Sequence, residues 1–367
     1  ATLIMPLVPS YIENLENYVP GKPIEEVQRE LGIKNIDKLA SNENPIGPSP
    51  KAIEKIKKSI NKLHRYPDAS GYNLRNKLAE AFNIKMNNVI LGAGSEGIMS
   101  TIIRTFLMDN DEMISAKNSF IGFRVLANAS GKKVHWIPMK NYRYNLKSIV
   151  KKINDQTKII YIANPDNPMG TYITKKEFDA FYSDIPKRVL IILDEAYFEY
   201  AQSNKDYPNS MHYKYDNVIT LRTFSKVYGL AGLRIGYGFA HDKLINNLMK
   251  VKEPFEPSSI AMEAGIAAMD DNEFLDKTLI LNKIGYELLE LELSKLKIET
   301  IPSSTNFIRT VWPSKEKAKD IVDALLHKGV IVRNLSPFGW PNCIRMSIGT
   351  KKQNNRLISE LKTIVNL

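Results

Sequence analysis

Between residues 88 and 222 short β-branched runs alternate with helical segments, and this alternation constrains the fold more than any other feature of the chain. The runs 88–91, 112–116, 133–137, 158–162, 188–193 and 217–222 read as strands, with helical periodicity over 95–107, 119–130, 145–154 and 174–183 between them. Strands separated by helices imply βαβ units and a largely parallel sheet. Such sheets bind ligands beyond the carboxyl ends of their strands. Residues at those ends are therefore the first candidates for chemistry.

The flanks differ from this middle. Residues 1–24 are punctuated by Pro6, Pro9, Pro20 and Pro23, with Tyr11 and Tyr18 between them, and read as an extended arm followed by a short helix over 24–31. The stretch 41–50 is turn chemistry that ends in Ser49-Pro50, a helix start with proline at its first position, and the helix should run to about Leu63. A further helix is expected over 71–82. From Lys243 onward the expectation is long helices (243–250, 258–269, 272–295, 315–327, 351–365) and strands at 298–301, 305–311, 329–333 and 342–348. That is a second, α+β unit, with a hinge near Pro254 and Pro257. The expected division is 1–45 as arm and part of the small domain, 46–253 as the large domain, and 254–367 as the small C-terminal domain.

Composition removes several classes of function. The charge of +11 (51 basic against 40 acidic residues) is spread along the chain, without the clustered arm or tail of a nucleic-acid binder. A single cysteine, Cys343, excludes an intramolecular disulfide and a cysteine-based metal cluster. The five histidines, 64, 135, 212, 241 and 327, are dispersed without ligand spacing, so no metal is expected. No run approaches the roughly 18 apolar residues of a membrane span, and no signal-peptide pattern opens the sequence. The expectation is a cytoplasmic protein bound to neither membrane nor nucleic acid.

Four strand ends carry candidate groups. The strand over 217–222 runs into Thr223, Ser225 and Lys226. A lysine at a crowded strand end is a candidate nucleophile, because desolvation frees the amine. Arg234 follows in a run spaced by Gly229, Gly232, Gly236 and Gly238, which lets backbone pass close to another segment. The strand 188–193 ends in Asp194, a carboxylate too costly to bury there without a cationic partner. Tyr197 lies three residues on. After the strand 158–162 comes the turn Asn164 to Gly170, where Asn167 is a potential donor. Gly92 to Gly97 fits G-x-G-x-x-G, but the acid that binds ribose in a dinucleotide site is missing from the end of the next strand, where Lys117 stands. What survives is an anion site built from the backbone of Gly94, Ser95 and Glu96 at a helix N-terminus.

Taken together, these stretches resemble the fold-type I aminotransferases, and within them the histidinol-phosphate aminotransferase family. The matching motifs run in family order: 39–45, Arg65 to Asp68, Gly94 to Glu96, Asn164 to Gly170, Asp194 to Tyr197, Thr223 to Lys226 with the glycine-spaced run to Tyr237, Thr305 to Phe307, Val332-Arg333 and Ile344 to Thr350. The resemblance implies an α/β, aspartate-aminotransferase-like large domain with a mostly parallel seven-stranded sheet, plus a smaller α+β domain. It implies pyridoxal 5'-phosphate as cofactor. Lys226 would bind it covalently and shuttle a proton, Asp194 would pair with its pyridinium nitrogen, and Asn167 and Tyr197 would hold its phenolate oxygen. Phe120 would stack on the ring, while Ser225, Arg234, the Gly94–Glu96 turn and Tyr66 from the other subunit of a homodimer would hold the phosphate.

For the substrates, the resemblance implies Tyr18, Asn44, Asn306, Arg333 and Arg345. Two arginines suit a phosphate and the carboxylates of glutamate or 2-oxoglutarate. The chain departs from the family's usual residues at Ile46, Phe120 and Met169, which would remove polar or aromatic groups from the substrate mouth. Alternatives on the same scaffold are an aminotransferase for aromatic or other amino acids, one for another small phosphate-bearing amine, and a phosphoamino-acid decarboxylase. A cofactor-sensing transcription regulator would need a DNA-binding module, for which residues 1–45 are too short. A nicotinamide dehydrogenase lacks its ribose acid.

Overall fold

The computed structural model describes residues 7–210 and 215–365; His212 and the first six residues of the arm lie outside them. A two-residue strand, β1 (Asp37–Lys38), precedes the strands of the main sheet. These are β2 (Val89–Gly92), β3 (Glu112–Ala116), β4 (Lys133–Ile137), β5 (Thr157–Ala163), β6 (Leu190–Asp194), β7 (Val218–Thr223) and β8 (Gly236–Phe239). Their order across the sheet is β2-β8-β7-β6-β5-β3-β4. Only β8 runs against its neighbours.

Alternation along β5 shows why this sheet is buried on both faces. Ile159, Tyr161 and Ala163 enter a core with the helices Gly94–Phe106, Ile121–Ala129 and Asp242–Val251. Ile160 and Ile162 enter another, with Leu146–Lys152 and Lys175–Ser183. Each isoleucine is fully buried, a contribution of about 1.5–3 kcal/mol per side chain. A polar residue at position 160 would face the second core with no partner.

β8 is the strand that hydrophobic periodicity does not reveal. Glycine alternates there with Tyr237 and Phe239, and the sequence suggests only a place of close backbone approach. The close approach is real: a Cβ at Gly236 would lie 2.6 Å from Gly94 C and Ser95 N. Glycine thus lets the start of the helix Gly94–Phe106 press onto the sheet while the segment still pairs as a strand.

A second unit holds β9 (Glu299–Ile301), β10 (Phe307–Val311), β11 (Val330–Ile331), β12 (Arg333–Leu335) and β13 (Trp340–Ser347). Four of these form an antiparallel sheet, β12-β13-β10-β9, whose core is closed by the helices Asn272–Lys295, Lys315–His327 and Lys351–Val365. The expected single strand over 329–333 is two: β11 pairs with β1, and after Val332 the chain joins β13 as β12. The arm also departs from a purely extended reading, since Ser10–Glu13 forms one helical turn that sets Tyr11 against Gly131. No helix among the described residues is long and apolar enough to cross a membrane.

Candidate active site

β5, β6 and β7 end in register, with Ala163 beside Asp194 and Asp194 beside Leu221. Sheet hydrogen bonding therefore brings together the turn carrying Asn167, the segment Asp194–Tyr197 and the segment Thr223–Lys226. They enclose an inner cavity of about 220 Å³ that also takes Ser95, Glu96, Phe120 and Arg234 into its wall.

Asp194 is buried on its floor. Tyr161 Oη donates to its Oδ2 at 2.6 Å, and the Ala196 N–H donates to Oδ1 at 3.2 Å. Burial pushes its carboxyl up to about 6, and the nearby charged groups Glu96 and Glu195 push the same way. The adjacent carboxylate has the opposite fate. Glu195 points to the other face of the sheet and meets Arg222 at 3.2 Å, both side chains 1% exposed, with the guanidinium 3.4 Å over the Phe198 ring. Among the described residues no cation is paired with Asp194, although a matched buried pair exists one residue away.

At the other end the helix Gly94–Phe106 opens onto the cavity. Gly94 has φ +71°, and a Cβ there would come within 2.7 Å of Arg234 Nη2. The Arg234 guanidinium lies 3.6 Å from Glu96, and Thr223 Oγ1 donates to Ser225 Oγ at 2.9 Å. Backbone N–H groups, a hydroxyl and a guanidinium at a helix N-terminus make an anion site. Lys226 lines the same cavity, its Nζ 5.7 Å from the Tyr197 ring centroid. A buried carboxyl lacking a cation, a lysine and an anion cradle in one small cavity fit a ligand with a protonatable ring nitrogen, a reactive carbonyl and a phosphate. Pyridoxal phosphate has all three.

A second, outer cavity of about 390 Å³ shares Glu96, Phe120, Asn167 and Lys226 with the first. Tyr18, Arg333 and Arg345 line it, opposite an apolar wall of Ile121, Val125 and Leu126. Arg333 and Arg345 are direct cross-strand partners on β12 and β13, so they share a face. Arg345 is buried; it donates to Asn167 Oδ1 and, at 2.8 Å, to the Ala40 carbonyl, while its Nε has no hydrogen-bond partner among the described residues. Burial pushes its guanidinium down to about 10, and Arg333 adds to the shift. Arg333 donates to the Val19 carbonyl at 3.0 Å, which ties the arm to the cavity rim. Two like charges facing each other destabilise a sheet. An anion between them removes that cost.

Several expected residues lie elsewhere. Tyr66 lines neither cavity; it is 81% exposed and stacks on Phe255 at 4.5 Å. Asn44 clasps the Val227 carbonyl at 3.0 Å and Thr278 Oγ1 at 3.1 Å, and Asn306 donates to the Asn42 carbonyl at 2.8 Å; both are outside the cavity linings. Ile46 is also outside them. Met169 is not at the substrate mouth as the sequence suggested. It is fully buried behind the site, its sulfur accepting from Arg309 Nη1 at 2.8 Å.

Three contributors escaped the sequence reading. Tyr161 had a signal, a phenol in the otherwise aliphatic buried run 159–163, where its hydroxyl needs a partner. The apolar wall of the helix Ile121–Ala129 reads as ordinary core. Asn42 is hidden inside a run of turn residues.

This arrangement at the carboxyl ends of a seven-stranded sheet defines an aminotransferase of class I and II, and the model of that family, "Aminotransferase class I and II", matches residues 34–361. The chain is 39% identical over 363 residues to a histidinol-phosphate aminotransferase of Anaeromyxobacter sp. (strain Fw109-5), covering 98% of this chain and 100% of that one. It is 40% identical over 365 residues to histidinol-phosphate aminotransferase 2 of Carboxydothermus hydrogenoformans, again covering 98% and 100%. The crystal structure of the Sinorhizobium meliloti histidinol-phosphate aminotransferase in complex with pyridoxal-5'-phosphate superposes with a TM-score of 0.91 at 26% identity, over 100% of this chain and 99% of that one. The chain belongs to the histidinol-phosphate aminotransferase family.

Proposed function

We propose that this chain is a pyridoxal-phosphate-dependent transaminase that moves an amino group between glutamate and imidazole-acetol phosphate, giving 2-oxoglutarate and histidinol phosphate, a step of histidine biosynthesis. The observation that carries the reading is Asp194, buried with no cation paired to it among the described residues, in the cavity that holds Lys226 and beside an outer cavity with paired arginines. When bound, the cofactor supplies a reactive carbonyl and an electron sink.

The chain's own groups supply the rest. Lys226 Nζ anchors the cofactor and carries the proton removed from the substrate α-carbon. Asp194 holds a proton on the ring nitrogen, which answers its missing partner. Asn167 and Tyr197 donate to the phenolic oxygen; the Asn167 carbonyl is already taken by Arg345, leaving its amide N–H groups for this role. Phe120 covers the ring, and Ser225, Arg234 and the backbone of Gly94, Ser95 and Glu96 hold the phosphate. Arg333 and Arg345, with Tyr18, bind the substrate anions; Asn44 and Asn306 support the surrounding loops.

The reading extends to a homodimer. The exposed stack of Tyr66 on Phe255 suits a tyrosine delivered into the neighbouring subunit's phosphate site. The division of the chain at 46–253 and 254–367, with 1–45 as arm and part of the small domain, and a cytoplasmic location belong to the same proposal.

The test is direct. Purified protein should be yellow and bleached by borohydride, with the label on Lys226, and should form glutamate from 2-oxoglutarate only when histidinol phosphate is present. A colourless protein, or one that releases carbon dioxide from a phosphoamino acid without making glutamate, overturns the reading.

A further inference from the structure

Asn42 is 1% exposed and sits at φ +56°, a left-handed backbone that asparagine tolerates better than most residues. Every polar group it has is committed. Its N–H donates to Ser347 Oγ at 2.9 Å, and Ser347 Oγ donates in return to Asn42 Oδ1 at 3.0 Å. Its carbonyl accepts from Asn306 Nδ2 at 2.8 Å. The remaining arm, Nδ2, donates to Tyr197 Oη at 2.9 Å. Ser347 closes β13 and Asn306 leads into β10, whereas Tyr197 follows β6. One sheet therefore anchors the amide, and the amide acts on a side chain delivered by the other.

The direction of these bonds matters more than their number. The Ser347 proton goes to Oδ1, which fixes the nitrogen end of the amide toward Tyr197. An amide nitrogen only donates, so the phenol oxygen accepts there and its own proton must point elsewhere. Phe307 holds the Tyr197 ring edge-on at 5.5 Å, and the ring lines the inner cavity beside Lys226. Other titratable or charged groups that bear on Tyr197 are Arg345 and Tyr200.

We propose that Asn42 is a positioning residue that turns Tyr197 into a hydrogen-bond donor aimed into the cofactor cavity. The inference rests on the cofactor reading above. An acceptor at position 42 would reverse the bond: Tyr197 would give its proton to residue 42 and present lone pairs to an oxygen that also needs a donor.

Asn42→Asp, nearly the same shape, makes that reversal, and Asn42→Ala removes the amide. The measurement is the pH midpoint of the absorbance of the lysine-bound chromophore, together with the Kd of pyridoxal phosphate for each apoprotein. A donor to a phenolate oxygen favours its charged form and eases proton loss from the neighbouring nitrogen, so losing the donor raises the midpoint. The expected rise is about one to two units in Asn42→Asp and in Tyr197→Phe, and smaller in Asn42→Ala, where the hydroxyl can still turn to the cavity. In a Tyr197→Phe background Asn42→Asp should add nothing.

A purely structural role predicts the reverse order, with the alanine variant worse than the near-isosteric aspartate. That order, or additive shifts in the Tyr197→Phe background, overturns the proposal. If Asn42→Asp does not fold, Ser347→Ala frees the amide to turn over and should raise the midpoint by less; an unchanged midpoint overturns the proposal as well. A wild-type protein without the chromophore removes the cofactor reading and this inference together, whereas a wild-type chromophore with an unchanged midpoint in Asn42→Asp removes only the role of Asn42.

Discussion

The two cavities share four residues but are built in different ways. The inner one takes Asn167, Asp194, Tyr197, Ser225 and Lys226 from the ends of three adjacent strands, at or a few residues beyond points fixed by register. The outer one gathers Tyr18 from the arm, Ala40 from beside β1, an apolar wall from one helix and two arginines from the second sheet. The first is set by one sheet; the second exists only where the arm, one helix and the second sheet meet the first. On the proposed reading, chemistry sits where the fold is most over-determined, and substrate selection where the pocket is assembled from parts.

The comparison can be broken at either end, and the largest effects should come from the inner cavity. Lys226→Ala should lose the chromophore and reduce transamination by on the order of 10⁴-fold or more, measured as glutamate formed per enzyme, with the fold intact by circular dichroism. Asp194→Asn should cost about 10²–10⁴-fold in kcat while stabilising the apoprotein at neutral pH. The sign follows from the carboxyl, raised to about 6 by burial from its ordinary 3.8. The folded state then binds more protons than the unfolded one between those values, so this group's contribution to stability falls as pH rises through them. Thermal melts of apoprotein at about pH 5 and about pH 8 should show a drop in the wild type that is smaller in Asp194→Asn.

Effects in the outer cavity should be smaller and should fall on substrates. Arg345→Lys keeps the charge but loses the fork to Asn167 and Ala40, and should lower kcat/KM about 10²-fold for both substrates. Val125→Ala, at a wall residue 42% exposed, should raise the KM for the phosphorylated substrate by about 2- to 10-fold and leave the Kd of pyridoxal phosphate unchanged. If Val125→Ala weakened cofactor binding as much as substrate binding, the two cavities would be a single site.

The same contrast explains what the sequence could disclose. Lys226, Asp194 and Asn167 were legible because strand ends can be read from local periodicity, and a parallel sheet gathers those ends without further information. β8 was not, because its glycines suppress the hydrophobic alternation while serving the packing of the helix above it. Tyr161 and the wall formed by Ile121, Val125 and Leu126 look like core by composition, and only their tertiary neighbours distinguish them. Met169 shows the converse. The family motif put it beside the substrate, but it lies in the layer beneath, against Arg309.

Position 42 also has a genetic consequence. Single-base changes in an asparagine codon lead to aspartate, serine, threonine, lysine, histidine, tyrosine or isoleucine. None keeps the amide nitrogen that Tyr197 accepts from, and aspartate, the closest in shape, turns that bond around. Glycine, the residue most at ease in this left-handed backbone, takes more than one base change and brings no side chain. A lineage carrying this enzyme therefore has no smooth mutational route away from Asn42, and variation around the site should accumulate instead on the outer wall.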